Sequence, residues 1–259
     1  MGTPGYEENY CSCLSDDFGG YGVGRDMDLI GGRYEEYFLL FLYFSQMDII
    51  KVTEGFVTGR MQAADASHDL WHIKRVVRLA DQIQAVEGGD REIILLAAWL
   101  HDIADAKFHD GNEELAGRII HAFLKENDYP DERIYHVENI IGNMSFRHSL
   151  DHDRKAVKTK EFCIVSDADK LDAIGAIGIA RAFHFGGHKN NPIYDPSVPL
   201  HSPPNAEAYR KYDRSTIHHF YDKLLKLKDM LYTSTARKMA EERHRFMEMF
   251  LDRFFKEWG

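Results

Sequence analysis

From Met47 onward the apolar positions of this chain recur at helical spacing, and no strand-like alternation exceeds four residues. Residues 67–86 place Leu70, Ile73, Val76, Val77, Ala80 and Ile83 on one stripe, with lysine, arginine and aspartate elsewhere. The string EGGD (87–90) breaks that helix. Residues 91–103 are then apolar nearly all round, and the leucines and alanines of IILLAAWL favour a buried helix over a strand. Amphipathic spacing returns at 112–127 through Leu115, Ile119, Ile120, Phe123 and Leu124. Pro130 suits the first turn of a helix running to about Phe146.

Further helices are expected at Thr159–Leu171 and at Ala173–Phe185, the latter ended by Gly186-Gly187. Residues 205–231 and 234–258 should form a long helical hairpin broken at Thr233-Ser234-Thr235. The segment 186–205 has no helical period and holds five of the seven prolines, reading either as a stiffened surface connection or as a lid over a substrate. The fold class expected is all-α: a helical bundle with a long C-terminal hairpin.

Domain organisation follows from where the periodicity begins. Residues 1–46 are glycine-rich at the start and read as a poorly ordered extension on a domain spanning 47–259. Their apolar stretch, YEEYFLLFLYF (34–44), is far shorter than the roughly 20 residues of a membrane span and contains two glutamates. It also lacks the basic flank and small-residue cleavage site of a secretory signal.

Composition narrows the partners. In 259 residues, 44% are hydrophobic, enough for a sizeable core, and a formal charge of −10 disfavours nucleic-acid polymers and anionic membranes. A small phosphorylated molecule is still compatible, because a bound cation reverses the local field. Three cysteines (Cys11, Cys13, Cys163) make no disulfide framework and read as free thiols of a reducing, cytoplasmic compartment. The aromatics and methionines at Phe246, Met247, Met249, Phe250, Phe254 and Phe255 read as core or helix-pair packing. A homodimer face is the alternative.

The candidate chemistry begins where LLAAWLHD (95–102) ends on His101-Asp102, an imidazole and a carboxylate at the edge of a core. SHDLWHIKRV (67–76) lies upstream and offers His68 and His72 one turn apart. SDADKLDAIG (166–175) lies downstream and offers Asp167, Asp169 or Asp172. Two imidazoles and two carboxylates make a mixed nitrogen–oxygen site suited to Mn, Fe, Co or Zn and less to Mg. Such a cation polarises phosphorus and acidifies water, which a phosphohydrolase requires. Lys107 and Arg75 are candidate phosphate contacts, and His109 and Asp110 lie close enough in sequence to line the same cleft. With 14 histidines, most have other roles. His121, His148, His152, His184, His188, His201, His218 and His244 read as surface or partly buried residues, and His136 as structural.

The order H…HD…D resembles the HD superfamily of metal-dependent phosphohydrolases. The strings SHDLWHIKRV, LAAWLHDIADAK, DADKLDAIGAIGIARAF and HFYDKLLKL are similar to the bacterial subfamily of YedJ- and YpgQ-type proteins, over roughly Met47 to Trp258. The resemblance implies His72, His101, Asp102 and Asp169 as ligands of one divalent ion, with Mn2+ first and Fe, Co, Zn, Ni or Mg as alternatives. His72 has the H-x-x-R-V context of the first ligand, and Asp169 directly precedes Lys-Leu. It also implies Asp105 as the acid handling the attacking water, with Arg181, His219 and Lys223 joining Arg75 and Lys107 as substrate contacts. The activity implied is pyrophosphate release from nucleoside or deoxynucleoside triphosphates. Phosphomonoesterase or cyclic-nucleotide phosphodiesterase activity, or a nucleotide sensor without turnover, are the alternatives.

Overall fold

The computed structural model describes residues 48–61, 69–103, 113–144, 158–200 and 215–259. Within them lie α1 (Ile49–Met61), α2 (Leu70–Glu87), α3 (Arg91–Leu100), α4 (Glu113–Glu126), α5 (Asp131–Asn143), α6 (Lys160–Asp172), α7 (Gly175–His188), α8 (Thr216–Asp222) and α9 (Ser234–Trp258). A 3-10 helix at Leu224–Met230 links the last two. Among the described residues there is no strand. None of these helices is long and apolar enough to cross a membrane.

Helix α3 is the centre of the bundle. Every residue from Ile93 to Leu100 is buried, because α1, α2, α5 and α6 pack around it. Each large apolar side chain so enclosed contributes about 1.5–3 kcal/mol of transfer free energy. Helix α2 turns Ile73, Val76, Leu79, Ala80 and Ile83 inward, and His72 is buried on the same side. Side-chain caps fix where helices start. Asp69 accepts from the His72 amide at 2.7 Å, so the residue that begins α2 also anchors the backbone of a candidate ligand. Asp90 accepts from the Glu92 and Ile93 amides to start α3, and Thr159 from Phe162 to start α6. Gly88, at φ 78°, lets the chain leave α2 with its amide bonded back to the Gln84 carbonyl.

The C-terminal half differs from the sequence expectation in two places. Gly186-Gly187 does not end α7, which continues to His188 before Asn190 takes a positive φ of 57°. The reason for Gly186 is steric: a Cβ there would lie 2.1 Å from the Thr216 hydroxyl oxygen. Helix α8 is therefore able to cross α7 in close contact. The first arm of the expected hairpin, over its described part, is α8 and the 3-10 helix rather than one long helix. The second arm is α9, starting as expected after Thr233, whose hydroxyl accepts from the Ala236 amide.

The described part of the proline-rich segment is tied into the bundle. Its Pro192 and Ile193 carbonyls accept from the Thr216 and Ile217 amides, meeting the open N-terminus of α8. Tyr194 packs edge-on against Phe255 and Trp258 of α9. His218, expected at the surface or only partly buried, is fully buried. It donates from Nε2 to the Val198 carbonyl and accepts at Nδ1 from the Ser215 hydroxyl, at 3.1 and 2.6 Å. The C-terminal apolar residues divide: Met247 is buried and Phe250, Phe254 and Phe255 pack on the core, while Phe246 and Met249 are exposed.

Candidate metal centre

His101 and Asp102 follow directly on α3, held by the burial of the eight residues before them. His72 comes from the buried face of α2, which packs on α3, and Asp169 comes from α6, which packs on both. One ligand atom each from His72, His101 and Asp102 fall within 4.8 Å of one another. His72 Nε2 stands 3.4 Å from His101 Nε2, 3.4 Å from Asp102 Oδ2 and 3.5 Å from Asp169 Oδ1. His101 Nε2 lies 3.4 Å from Asp102 Oδ1. Such separations are those of donors each about 2.1 Å from a shared cation. Both imidazoles and Asp102 are buried; the Asp169 carboxylate is 40% exposed and forms the open side.

Hydrogen bonding decides which nitrogens bear lone pairs. His101 Nδ1 lies 2.8 Å from the Ala98 carbonyl, which can only accept, so Nδ1 carries the proton. His72 Nδ1 lies 2.7 Å from the Asp172 carboxylate and by the same reasoning carries one too. In the neutral rings both Nε2 atoms then present lone pairs toward each other and toward two carboxylates. Four acceptors converging in a largely buried space are mutually repulsive unless a cation or a proton lies among them. The donor set therefore fits a divalent metal, and its nitrogen–oxygen mixture fits Mn, Fe, Co or Zn chemistry. Burial disfavours the charged form of His101, yet the Asp102 and Asp169 carboxylates outweigh it and raise its pKa above the ordinary histidine value. A proton and a metal ion thus compete for the same place.

The three aspartates of α6 have separate tasks. Asp169 faces the cluster. Asp167, fully buried, accepts from the Tyr232 and Thr233 amides and the Thr233 hydroxyl, at 2.7–3.1 Å. It ties α6 to the start of α9. Asp172 accepts from His72 Nδ1, from Arg75 Nε at 2.6 Å and Nη2 at 3.0 Å, and from Arg181 Nη1 at 2.8 Å. Burial opposes its ionisation, but these partners hold its carboxyl below the usual carboxylate range.

Arg75 and Arg181, read in the sequence as substrate contacts, are thus both engaged with Asp172 at the edge of the cluster. The charge of Arg181 acts on His101. Arg75 also lines a shallow open depression with Trp71, Lys74 and Arg78. His219 and Lys223 stand one turn apart at the end of α8, where burial and the lysine charge bring the His219 pKa down to about 4. Asp105, Lys107, His109, Asp110 and the alternative ligand His68 lie outside the described residues. Asp172 was legible only as a rival for the last ligand position. A carboxylate five residues after Asp167 on one helix gives no sign of which way it points.

The chain matches the HD domain family over residues 70–174. It is 38% identical over 201 residues to YpgQ of Bacillus subtilis, covering 74% of this chain and 85% of that protein. A crystal structure of B. subtilis YpgQ in complex with ADP aligns at a TM-score of 0.65 with 33% identity, over 82% of this chain and 96% of that one. An HD-superfamily hydrolase from Bacillus thuringiensis aligns at 0.64 with 40% identity, over 82% and 97% of the two chains.

Proposed function

This chain belongs to the HD-domain hydrolases, and from that premise we propose that it is a metal-dependent phosphohydrolase of nucleotides, releasing pyrophosphate from nucleoside or deoxynucleoside triphosphates. The observation that carries the reading is the convergence on His72 Nε2 of His101 Nε2, an Asp102 oxygen and an Asp169 oxygen, each 3.4–3.5 Å from it. The nucleotide class is supported by the relative YpgQ, whose structure holds ADP.

His72, His101, Asp102 and Asp169 would hold one divalent cation, Mn2+ first. Such a cation supplies Lewis acidity toward a phosphoryl group and toward water. Within the reaction, water adds to phosphorus and pyrophosphate departs, leaving the nucleoside monophosphate. Asp105 is proposed to orient that water by accepting its hydrogen bond. Arg75 and Arg181, placed at the rim by Asp172, neutralise phosphate charge, with Lys107, His219 and Lys223 as further contacts. The exposed flank of Asp169 is the side from which substrate would approach.

The test is a panel of nucleoside and deoxynucleoside mono-, di-, tri- and cyclic phosphates with Mn2+, followed by separate phosphate and pyrophosphate assays. Pyrophosphate from triphosphates is the expected product. Inorganic phosphate from monophosphates or ring opening of cyclic substrates would replace it with the phosphomonoesterase or phosphodiesterase reading. Tight nucleotide binding with no product from any substrate would make the chain a sensor.

A further inference from the structure

Asp172 is 1% exposed and accepts four hydrogen bonds from three side chains, His72 and Arg75 on α2 and Arg181 on α7. Its Oδ2 alone meets three of those donors, from His72, Arg75 Nη2 and Arg181, and its Oδ1 meets the fourth, Arg75 Nε. The carboxylate is thus turned to the far side of His72 from the Nε2 cluster. Its bond to His72 has a directional consequence. A carboxylate facing Nδ1 retains the proton there, and the opposite nitrogen, Nε2, is the atom that faces His101, Asp102 and Asp169. The two arginines hold the carboxylate from its other sides, so its orientation does not depend on His72.

We propose that Asp172 is the positioning residue of the metal centre, holding His72 as the Nδ1–H tautomer with Nε2 aimed at the cation while Arg75 and Arg181 fix the carboxylate in place. The inference rests on the metal-dependent reading above. A purely structural role, joining α2, α6 and α7 by ion pairs, would make the His72 contact incidental. The two roles differ in what happens when the charge is removed and the shape is kept. In Asp172→Asn, the amide oxygen keeps the place of Oδ2 among its three donors, but His72 Nδ1–H then faces a neutral acceptor instead of a carboxylate, so its Nε2 is a weaker donor to the cation. Arg75 and Arg181 are each about a quarter exposed on their side chains, at 26% and 29%, so both can rehydrate and the fold is retained.

The experiment measures Mn2+ affinity of the full chain by calorimetry, together with the visible spectrum of the Co2+-loaded protein and the urea midpoint. Asp172→Asn is expected to bind Mn2+ on the order of 10–100-fold more weakly, the usual cost of losing an outer partner of a metal-bound histidine. Its Co2+ spectrum should change while the urea midpoint stays near wild type. Wild-type affinity and spectrum in a folded Asp172→Asn protein overturn the proposal. Should that variant not fold, 15N spectra of the metal-free wild type decide: a proton on His72 Nδ1 supports it and a proton on Nε2 overturns it. A wild-type protein that takes up no divalent metal would instead end the phosphohydrolase reading.

Discussion

The Nε2 atoms of His72 and His101 face each other across 3.4 Å, although 29 residues separate them in the chain. Each ring commits its other nitrogen as a donor, His72 to Asp172 and His101 to the Ala98 carbonyl. Two lone pairs so directed mark one position in space, and the Asp102 carboxylate flanks both.

Replacing either half of the HD pair should separate catalysis from stability. His101→Ala or Asp102→Asn is expected to lose more activity than the roughly 10–100-fold typical of outer-partner changes, because a donor to the cation itself is gone. In the presence of chelator, Asp102→Asn should melt at or above the wild-type temperature, since an amide relieves the crowding of acceptors. Added Mn2+ should raise the wild-type melting temperature, by mass action, and leave the variants nearly unmoved. Full activity in either variant would place the chemistry elsewhere.

Asp167→Ala should act on the fold rather than on the metal. It strips acceptors from two backbone amides and the Thr233 hydroxyl at the start of α9. Buried donors left without partners cost about 1–3 kcal/mol each, so a loss on the order of 3 kcal/mol is expected from urea unfolding. The Mn2+ affinity of the still-folded fraction should be close to that of wild type.

Gly186→Ala tests the crossing of α7 and α8. Its Cβ would meet the Thr216 hydroxyl oxygen at 2.1 Å, and overpacking of this kind costs about 1–3 kcal/mol. Combining it with Thr216→Ala should recover most of that loss, read as a coupling energy in a double-mutant cycle. A Gly186→Ala protein as stable as wild type would contradict the steric account.

Stability should fall on mild acidification through His219. Burial and Lys223 bring its pKa down to about 4 in the folded chain, against about 6.5 when unfolded. Between those values the unfolded chain binds a proton that the folded chain does not, so this contribution is complete above about pH 6.5 and is lost as pH falls toward 4. His219→Gln should flatten the stability–pH curve across that window by on the order of 1–3 kcal/mol. A curve of unchanged slope would show that His219 is not the titrating group.

The sequence makes the helices legible because burial writes itself into spacing. The stripe of α2 and the uninterrupted apolar run of α3 are both borne out, and the latter explains why His101 and Asp102 sit at the edge of a core. Where geometry depends on a second helix, the signal disappears. Gly186 looks like a stop because glycine ends helices more often than it admits a neighbour's hydroxyl. His218 looks like one histidine among 14, since its partners Ser215 and Val198 are chosen by the path of the proline-rich segment. Asp172 pairs with residues 97 and 100 positions earlier, and no local pattern announces such contacts. Arg75 and Arg181 read as cations beside phosphate, and the carboxylate that also holds them is visible only once α2, α6 and α7 come together.

Helix α6 brings its acids to three destinations at once: Asp167 to the beginning of α9, Asp169 to the imidazoles and Asp172 to the arginines. A rotation of this one short rod by a single residue, about 100°, would dislodge all three. The rotational setting of Asp169 is in this way shared with the seating of the last helix, through one rod that serves both.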